Sequence, residues 1–186
     1  KAAPILAKAI KAGAIVGVGG SGVYTDINSE NSILVGKNYE IETSGGAYSV
    51  EANTNNTYKA FNDSSAYGVV GVTVGIIENN ISSTVNVESN ADIVTNGAIS
   101  IIANNEVKKA IVSNYDLYGG SGGVVGVGSA NLVDNIVMNT ISTLGGNKAH
   151  ATGNYDNGYV TIGAQSILNV NQKVHVSAGG AVPVVD

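Results

Sequence analysis

The sequence contains no cysteine, no tryptophan and no arginine, and it has only two prolines and one phenylalanine. Without cysteine, the chain has neither a disulfide framework nor a thiolate metal site. Nine lysines and a formal net charge of −5 provide no basic patch of the kind that nucleic-acid binding requires. No run of 18 apolar residues occurs, which excludes a membrane-spanning helix.

The residues that are abundant favour a pleated β structure. Of 186 residues, 25 are glycine and 23 are asparagine, and the 44% that are hydrophobic are mostly valine, isoleucine and alanine. Branched and small side chains of this kind suit a β-sheet better than a helical core. The segment Lys1–Gly13 has no long apolar stretch and no clear cleavage site, so it is not a signal peptide. We interpret residues 1–186 as a single segment of a longer protein.

Two sequence elements recur and define a repeat of about 55 residues. The first reads GAIVGVGGSGVYTDI, YGVVGVTVGIIENNI and GGVVGVGSANLVDNI, and its anchor glycines are Gly17, Gly71 and Gly126. The intervals between successive anchors are nearly equal, and a fourth copy at the end of the chain places Pro183 on the anchor position. Ten residues after each anchor stands an isoleucine that we expect to face the core: Ile27, Ile81 and Ile136.

The second element follows the first in each repeat. It reads GAYSVEAN, GAISIIAN and GYVTIGAQ, starting at Gly46, Gly97 and Gly158. Its apolar and polar residues alternate with period two, which is typical of a half-buried strand. In the first element valine alternates with glycine, which indicates a strand covered on both faces or closely approached by another backbone.

This pattern predicts an all-β fold, a parallel β-solenoid with repeats at about 13–66, 67–121 and 122–178 and a fourth beginning at 179–186. A coil takes about 20–28 residues, so we expect two coils per repeat and about 10 Å between equivalent strands. Asp26, Asn80 and Asn135 occupy one repeat position, where they either form an amide ladder between coils or tolerate a turn. The segment at 4–13 is either a short helix or part of a preceding coil.

The motifs GVTVGIIENNISSTV with NGAISIIAN, and GVGSANLVDNIVMNTI with NGYVTIGAQ, resemble the passenger repeats of giant bacterial surface proteins. The similarity is to leukotoxin-type filamentous adhesins, which are related in architecture to filamentous haemagglutinins, and it extends from about Gly13 onward. The resemblance implies a right-handed parallel β-helix exported to the outside of a bacterial cell. It supplies no catalytic motif, and the N-terminal secretion domain of such proteins is missing from this sequence.

Residues that could support catalysis, metal binding or ligand recognition are few and scattered along the sequence. Glu40 and Glu42 lie on one strand face, but no adjacent acid pair supports glycosidase or lyase chemistry. The two histidines, His150 and His175, could form a metal site only with added carboxylates. The GGxGxD calcium motif is not satisfied, but oxygens of Asp and Asn at the corners leave calcium binding as an open alternative. The nine tyrosines either recognise glycans or proteins or simply favour strands. They include Tyr24, Tyr48, Tyr58, Tyr67, Tyr115, Tyr118, Tyr155 and Tyr159.

We therefore expect a non-enzymatic, extracellular rod segment of a surface adhesin or filament, with no cofactor. Its partners would be host or bacterial surface glycans or proteins bound by loops, with no nucleic acid and no membrane span. A self-assembling fibre subunit, in which the ends of the solenoid pair with other copies, is the alternative. A carbohydrate-active β-helix enzyme is the third possibility.

Overall fold

The computed structural model describes residues 5–7, 11–111, 114–153 and 158–185, and in these ranges all the regular elements are strands. Every strand pairing found among them is parallel, which confirms the predicted all-β class with parallel sheets. Both described parts of the segment 4–13 are strand, so the helical interpretation is wrong there, and residues 8–10 lie outside the described ranges. The strands are β1 (Ile5–Ala7), β2 (Lys11–Val35), β3 (Glu40–Thr43), β4 (Tyr48–Tyr58), β5 (Ala60–Ser89), β6 (Asp92–Thr95), β7 (Ile99–Lys109), β8 (Leu117–Gly122), β9 (Val125–Leu144), β10 (Ala149–Ala151), β11 (Val160–Asn169), β12 (Val174–Gly179) and β13 (Val182–Val185).

These strands belong to three sheets. Two sheets have three strands each, in the orders β10-β6-β3 and β11-β7-β4, and the third sheet contains the other seven strands. Within the seven-stranded sheet, residues 62–67 of β5 pair with β8, which pairs with β12. We call residues 62–67 of β5 together with β8 and β12 the short-strand column. Residues 70–89 of β5 pair with β2 and β9, and β13 extends this long-strand column.

Equivalent positions of successive repeats are direct neighbours in the sheets. In the long-strand column Gly17 pairs with Gly71 and Gly71 with Gly126, and ten residues on Ile27, Ile81 and Ile136 pair in the same way. Pro183 pairs with Gly126, at the position that the sequence assigns to a fourth anchor. In the β4-β7-β11 sheet the paired residues are Val50, Ile101 and Ile162, and the glycines Gly46, Gly97 and Gly158 precede these strands at one common offset.

The prediction of two coils per repeat is wrong. Matched strands of successive repeats are hydrogen-bonded to each other directly, so they lie about 4.8 Å apart and not about 10 Å apart. The reason is the length of the strands in the long-strand column: β9 alone takes 20 residues. One such strand, two shorter strands and a strand of the short-strand column together use the whole repeat, so a repeat contributes a single layer.

Glycines occur where the short-strand and long-strand columns meet because the backbones approach closely there. A Cβ on Gly71 would lie 2.7 Å from the carbonyl oxygen of Gly122, and one on Gly126 would lie 2.8 Å from that of Gly179. Gly123, with a φ of 155°, lies at the same corner, in a conformation that L side chains rarely adopt. Of the two explanations for the Val-Gly alternation, the close backbone approach is the one that the structure contains.

The core lies between the long-strand column on one side and the β4-β7-β11 sheet and the short-strand column on the other. Ser83 of β5 donates a hydrogen bond to Asn105 of β7 across this interior, at 2.6 Å. Ile81 is buried, and Ile27 and Ile136 are half-buried and pack against the same cluster. The largest buried cluster lies where the three sheets meet and consists of Ala52, Val85, Val87, Ala91, Ile93, Ile99, Ile101 and Ala103.

Candidate functional site

The glycines that recur in the repeats form columns along the stack of layers, and their contacts are with neighbouring backbone. A Cβ on Gly97 would lie 2.6 Å from the carbonyl oxygen of Gly46, whereas a Cβ on Gly46 meets nothing within 4 Å. Gly158 is crowded by the backbone of Gly153 at 2.5 Å. Gly97 thus allows its strand to start close against the layer before it, whereas Gly158 allows a close approach within its own layer.

An amide ladder runs along the outer face at the position of Asn80 and Asn135. The Nδ2 of Asn135 donates a hydrogen bond to Oδ1 of Asn80 at 2.9 Å. Both residues lie in the interior of long strands, so a turn does not explain them. A second ladder joins Asn104 to Asn53 at 2.7 Å on the β4-β7-β11 sheet. Bonds of this kind link layers on the solvent side, as stacked amides do in cross-β structures.

A polar cluster spans three layers, with Tyr58 and Asn79 buried, Asp134 half-buried and Gln172 exposed. The hydroxyl of Tyr58 donates a hydrogen bond of 3.0 Å to Oδ2 of Asp134, and Asn79 donates to Oδ1 of the same carboxylate at 2.6 Å. Gln172 also donates to Asp134. Burial, followed by the negative charge of Asp134, raises the pKa of Tyr58 far above its ordinary value of 10, which keeps the phenol protonated as a donor.

A buried ion pair adjoins this cluster. The Nζ of Lys109 lies 3.2 Å from Oδ2 of Asp116, and their side chains are only 1% and 7% exposed. The same carboxylate oxygen accepts a hydrogen bond of 2.8 Å from the backbone N–H of Lys173. Lys109 pairs in register with Tyr58, so the two side chains are neighbours in adjacent layers. We call Tyr58, Lys109, Asp116 and Asp134 the buried ionic cluster.

Aromatic rings cover the outer face of the short-strand column. His175 stacks against Tyr115 with 4.7 Å between ring centroids and against Tyr118 with 5.5 Å. The ring of Tyr118 lies over Gly120, and the half-exposed ring of Tyr67 lies over Gly122; a Cβ on either glycine would lie 2.8 Å from the ring. We call Tyr67, Tyr115, Tyr118 and His175 the aromatic surface. In this surface Tyr67 is 51% exposed and Tyr115 is 40% exposed.

The other candidates from the sequence are dispersed. Glu40 and Lys148 form an exposed ion pair with 3.6 Å between charged atoms, and Glu42 and His150 are exposed. Tyr48 is half-buried and faces the core, whereas Tyr24 and Tyr159 are exposed. Tyr155 lies outside the described residues. Among the described residues, no group of three or more His, Asp or Glu side chains is arranged to hold a metal, and no helix is long and apolar enough to cross a membrane.

Sequence reasoning missed the buried ionic cluster. Thr25, Asn79 and Asp134 pair in register and form an inward-facing column of polar residues. Each of them comes one residue before a member of the outward-facing column of Asp26, Asn80 and Asn135. The period-two pattern could have identified this polar inward column. The Lys109–Asp116 contact depends on the connection between β7 and β8, whose path no repeat pattern encodes, because the corresponding connections in the other layers are shorter.

Comparisons with known proteins found no relative of this chain: no protein-family model matches it, and neither does any curated protein or solved structure. The similarity to adhesin passenger repeats is therefore supported by the sequence motifs alone. Function is inferred below from the repeat pattern and from the geometry of the ladders, the buried ionic cluster and the aromatic surface.

Proposed function

We propose that the chain is a right-handed parallel β-helix of about 55-residue repeats that serves as a stalk segment of an extracellular bacterial surface adhesin. The observation that carries the proposal is the in-register pairing of equivalent repeat positions over three layers. An architecture in which each layer contacts only its neighbours extends by adding layers, and its length is set by the number of repeats. That is the property required of a spacer that holds a binding surface away from a cell.

The distribution of polar groups supports a spacer whose layers cohere. Outward amide ladders join Asn80 to Asn135 and Asn53 to Asn104, while apolar residues stack inside. Each layer is thus tied to the next by backbone hydrogen bonds, by side-chain amides and by buried apolar contacts. Burial of a large aliphatic side chain stabilises by about 1.5–3 kcal/mol, and it recurs in each layer that has neighbours on both sides.

The adhesive contact within this proposal is the aromatic surface, and its ligand is a neutral glycan. Flat exposed rings bind the apolar faces of pyranose sugars, and Tyr supplies a large contact area with little loss of conformational freedom. Tyr115 is 40% exposed, and His175 supports it from behind. Saturation-transfer NMR with soluble neutral oligosaccharides should show contact with the chain, and Tyr115→Ala should abolish the signal. Tyr39→Ala, which removes an exposed ring elsewhere, is the matched control.

The location is tested on intact cells of the source organism. Antibodies raised against the purified chain should label unpermeabilised cells, and brief treatment of the cells with protease should remove the label. Labelling that appears only after permeabilisation would contradict the proposal.

The spacer role is tested by lengthening the chain. Inserting ten further copies of residues 67–121 in frame should lengthen the particle by about 48 Å, at about 4.8 Å per layer, as measured by small-angle scattering and electron microscopy. An increase of twice that amount per copy, or an unfolded insert, would contradict the one-layer stalk.

A further inference from the structure

We propose that Lys109 and Asp116 become joined by an intramolecular isopeptide bond, a covalent amide between the two side chains. Their charged atoms lie 3.2 Å apart, and both side chains are almost completely buried. The bond would clamp the connection between β7 and β8, where the chain passes from one layer to the next. This inference does not depend on the adhesin proposal, since it concerns only the chemistry of one buried pair.

The geometry of the Lys109 side chain first points to a reaction. Its Nζ is buried and makes no hydrogen bond within the described part of the chain, although it lies within ion-pair distance of Asp116. The nitrogen therefore approaches the carboxylate away from the usual hydrogen-bond direction. A buried ammonium without hydrogen bonds is costly, and conversion to an amide removes both buried charges at once.

The surroundings of the carboxylate favour attack at its carbon. The backbone N–H of Lys173 donates to Oδ2 of Asp116 at 2.8 Å, and the N–H of Asp116 itself donates to the Lys173 carbonyl at 2.8 Å. The side-chain hydrogen bond stabilises the negative charge that develops on this oxygen in a tetrahedral intermediate. The paired backbone bonds hold the carboxyl group in place, so the two reacting groups are already positioned.

The reaction balances without any oxidant or co-reactant. The Lys109 ammonium transfers a proton to Oδ1 of the Asp116 carboxylate, and the neutral nitrogen attacks Cγ while the negative charge gathers on Oδ2. A second proton then moves from the nitrogen to Oδ1, the Cγ–Oδ1 bond breaks, Oδ1 departs as one water, and Oδ2 becomes the amide oxygen. Ammonium and carboxylate thus become one amide and one water, and the dry interior disfavours the reverse hydrolysis.

Lys108 provides a comparison within the chain. Its Nζ lies 2.8 Å from Oε1 of Glu106, closer than the buried pair, but these side chains are 39% and 28% exposed. Water solvates both charges there and competes as a nucleophile. Lys108 and Glu106 should therefore remain an ordinary ion pair, which makes them the matched control for proximity without burial.

The experiment is intact-mass spectrometry of the purified, folded chain. The proposal expects a mass one water, about 18 Da, below that calculated from the sequence. Trypsin should then fail to cleave after Lys109 and should yield a peptide covering 109–148 that lacks one water, with fragment ions joining Lys109 to Asp116. Lys109→Arg and Asp116→Ala should restore the full calculated mass, whereas Lys108→Arg should keep the loss.

Two results would overturn the proposal. One is a folded wild-type chain with the full calculated mass and normal cleavage after Lys109. The other is a loss of water that maps elsewhere, for example to a cyclised aspartate, since Lys109 would then remain cleavable. Both are read from the wild-type chain, so a variant that fails to fold does not obscure the outcome.

Discussion

The middle and last repeats carry the same strand pattern but differ in burial. Ile101 in β7 is fully buried, while its paired residue Ile162 in β11 is 52% exposed. Leu117 in β8 is likewise buried, whereas Val174, which pairs with it in β12, is 45% exposed. The repeat thus does not bury its own core. Burial comes from having a layer on each side, as expected when a single repeat cannot cover its apolar face alone.

Charge placed at the two positions should give the largest contrast. Ile101→Asp puts an unpaired carboxylate into the apolar stack and should destabilise the chain by more than about 4 kcal/mol. Ile162→Asp leaves the carboxylate in contact with water and should cost about 1 kcal/mol or less. Urea unfolding followed by circular dichroism measures both. Equal losses at the two positions would mean that the last layer is as well covered as the middle one.

The starting glycines of the β4-β7-β11 sheet offer a second contrast. Gly97→Ala forces a Cβ against the backbone of Gly46 and should cost about 1–3 kcal/mol, since neither backbone can move freely. Gly46→Ala adds the same atom at the equivalent position of the first repeat, where nothing lies within 4 Å, and should change stability by less than about 0.5 kcal/mol. The free energies of unfolding of the two variants decide this. A harmless Gly97→Ala would argue that the layers are not in direct contact there.

A pH titration tests the contact between the first and third layers through Tyr58 and Asp134. Burial and the Asp134 charge raise the pKa of Tyr58 in the folded chain. The unfolded tyrosine loses its proton above about pH 10, so folding stability is fully present below that pH and falls by about 1.4 kcal/mol per unit above it. Tyr58→Phe should remove this part of the decline. The free energy of unfolding of wild type and of Tyr58→Phe should be compared between pH 9 and 11, a range centred on the unperturbed tyrosine pKa of about 10. An equal decline in both proteins would contradict the buried contact.

The outer amide ladder should give the smallest effect. Asn80→Ala removes the acceptor of the Asn135 side chain and should cost about 0.5–1 kcal/mol, because water replaces the lost partner on this exposed face. A double-mutant cycle of Asn80→Ala with Asn135→Ala should return a coupling of about 0.5 kcal/mol. A coupling of zero would show that the amides contribute nothing to cohesion between layers.

The sequence predicted well which positions are equivalent in successive repeats, because a side chain repeated at a fixed interval needs the same environment each time. The alignment of Ile81 with Ile136 and of Ile101 with Ile162 could be read from the letters alone, but their direct pairing in adjacent strands could not. The number of residues per layer could not, since it depends on how far the long strands run before they turn. Burial alternates along most of β9, so the period-two pattern gives no signal of where this strand ends.

The buried ionic cluster was beyond sequence reasoning for a different reason. Lys109 and Asp116 are close in the sequence, but they lie at the two ends of the connection between β7 and β8, which has a different length in each layer. Asp134 reaches Tyr58 across the interior, from 76 residues away. Contacts of this kind are made by irregular connections and by side chains that cross the core, and neither follows the period of the repeat.

The central claim, one layer per repeat with matched strands in direct register, is tested by paired cysteines. The chain has no cysteine, so an introduced pair can react only with itself. Asn53 and Asn104 are paired in adjacent strands, at about 4.8 Å, which is within the range of about 4.4–6.8 Å that a disulfide spans between Cα atoms.

The double variant Asn53→Cys with Asn104→Cys should therefore oxidise to a monomeric disulfide, seen as a loss of free thiol and a mobility shift reversed by reductant. The control pair Asn53→Cys with Gln165→Cys, which the same register places two layers apart at about 10 Å, should stay reduced. If the folded double variant Asn53→Cys with Asn104→Cys keeps both thiols free under oxidising conditions, the matched strands are not direct neighbours. That result would contradict one layer per repeat and would favour two coils per repeat.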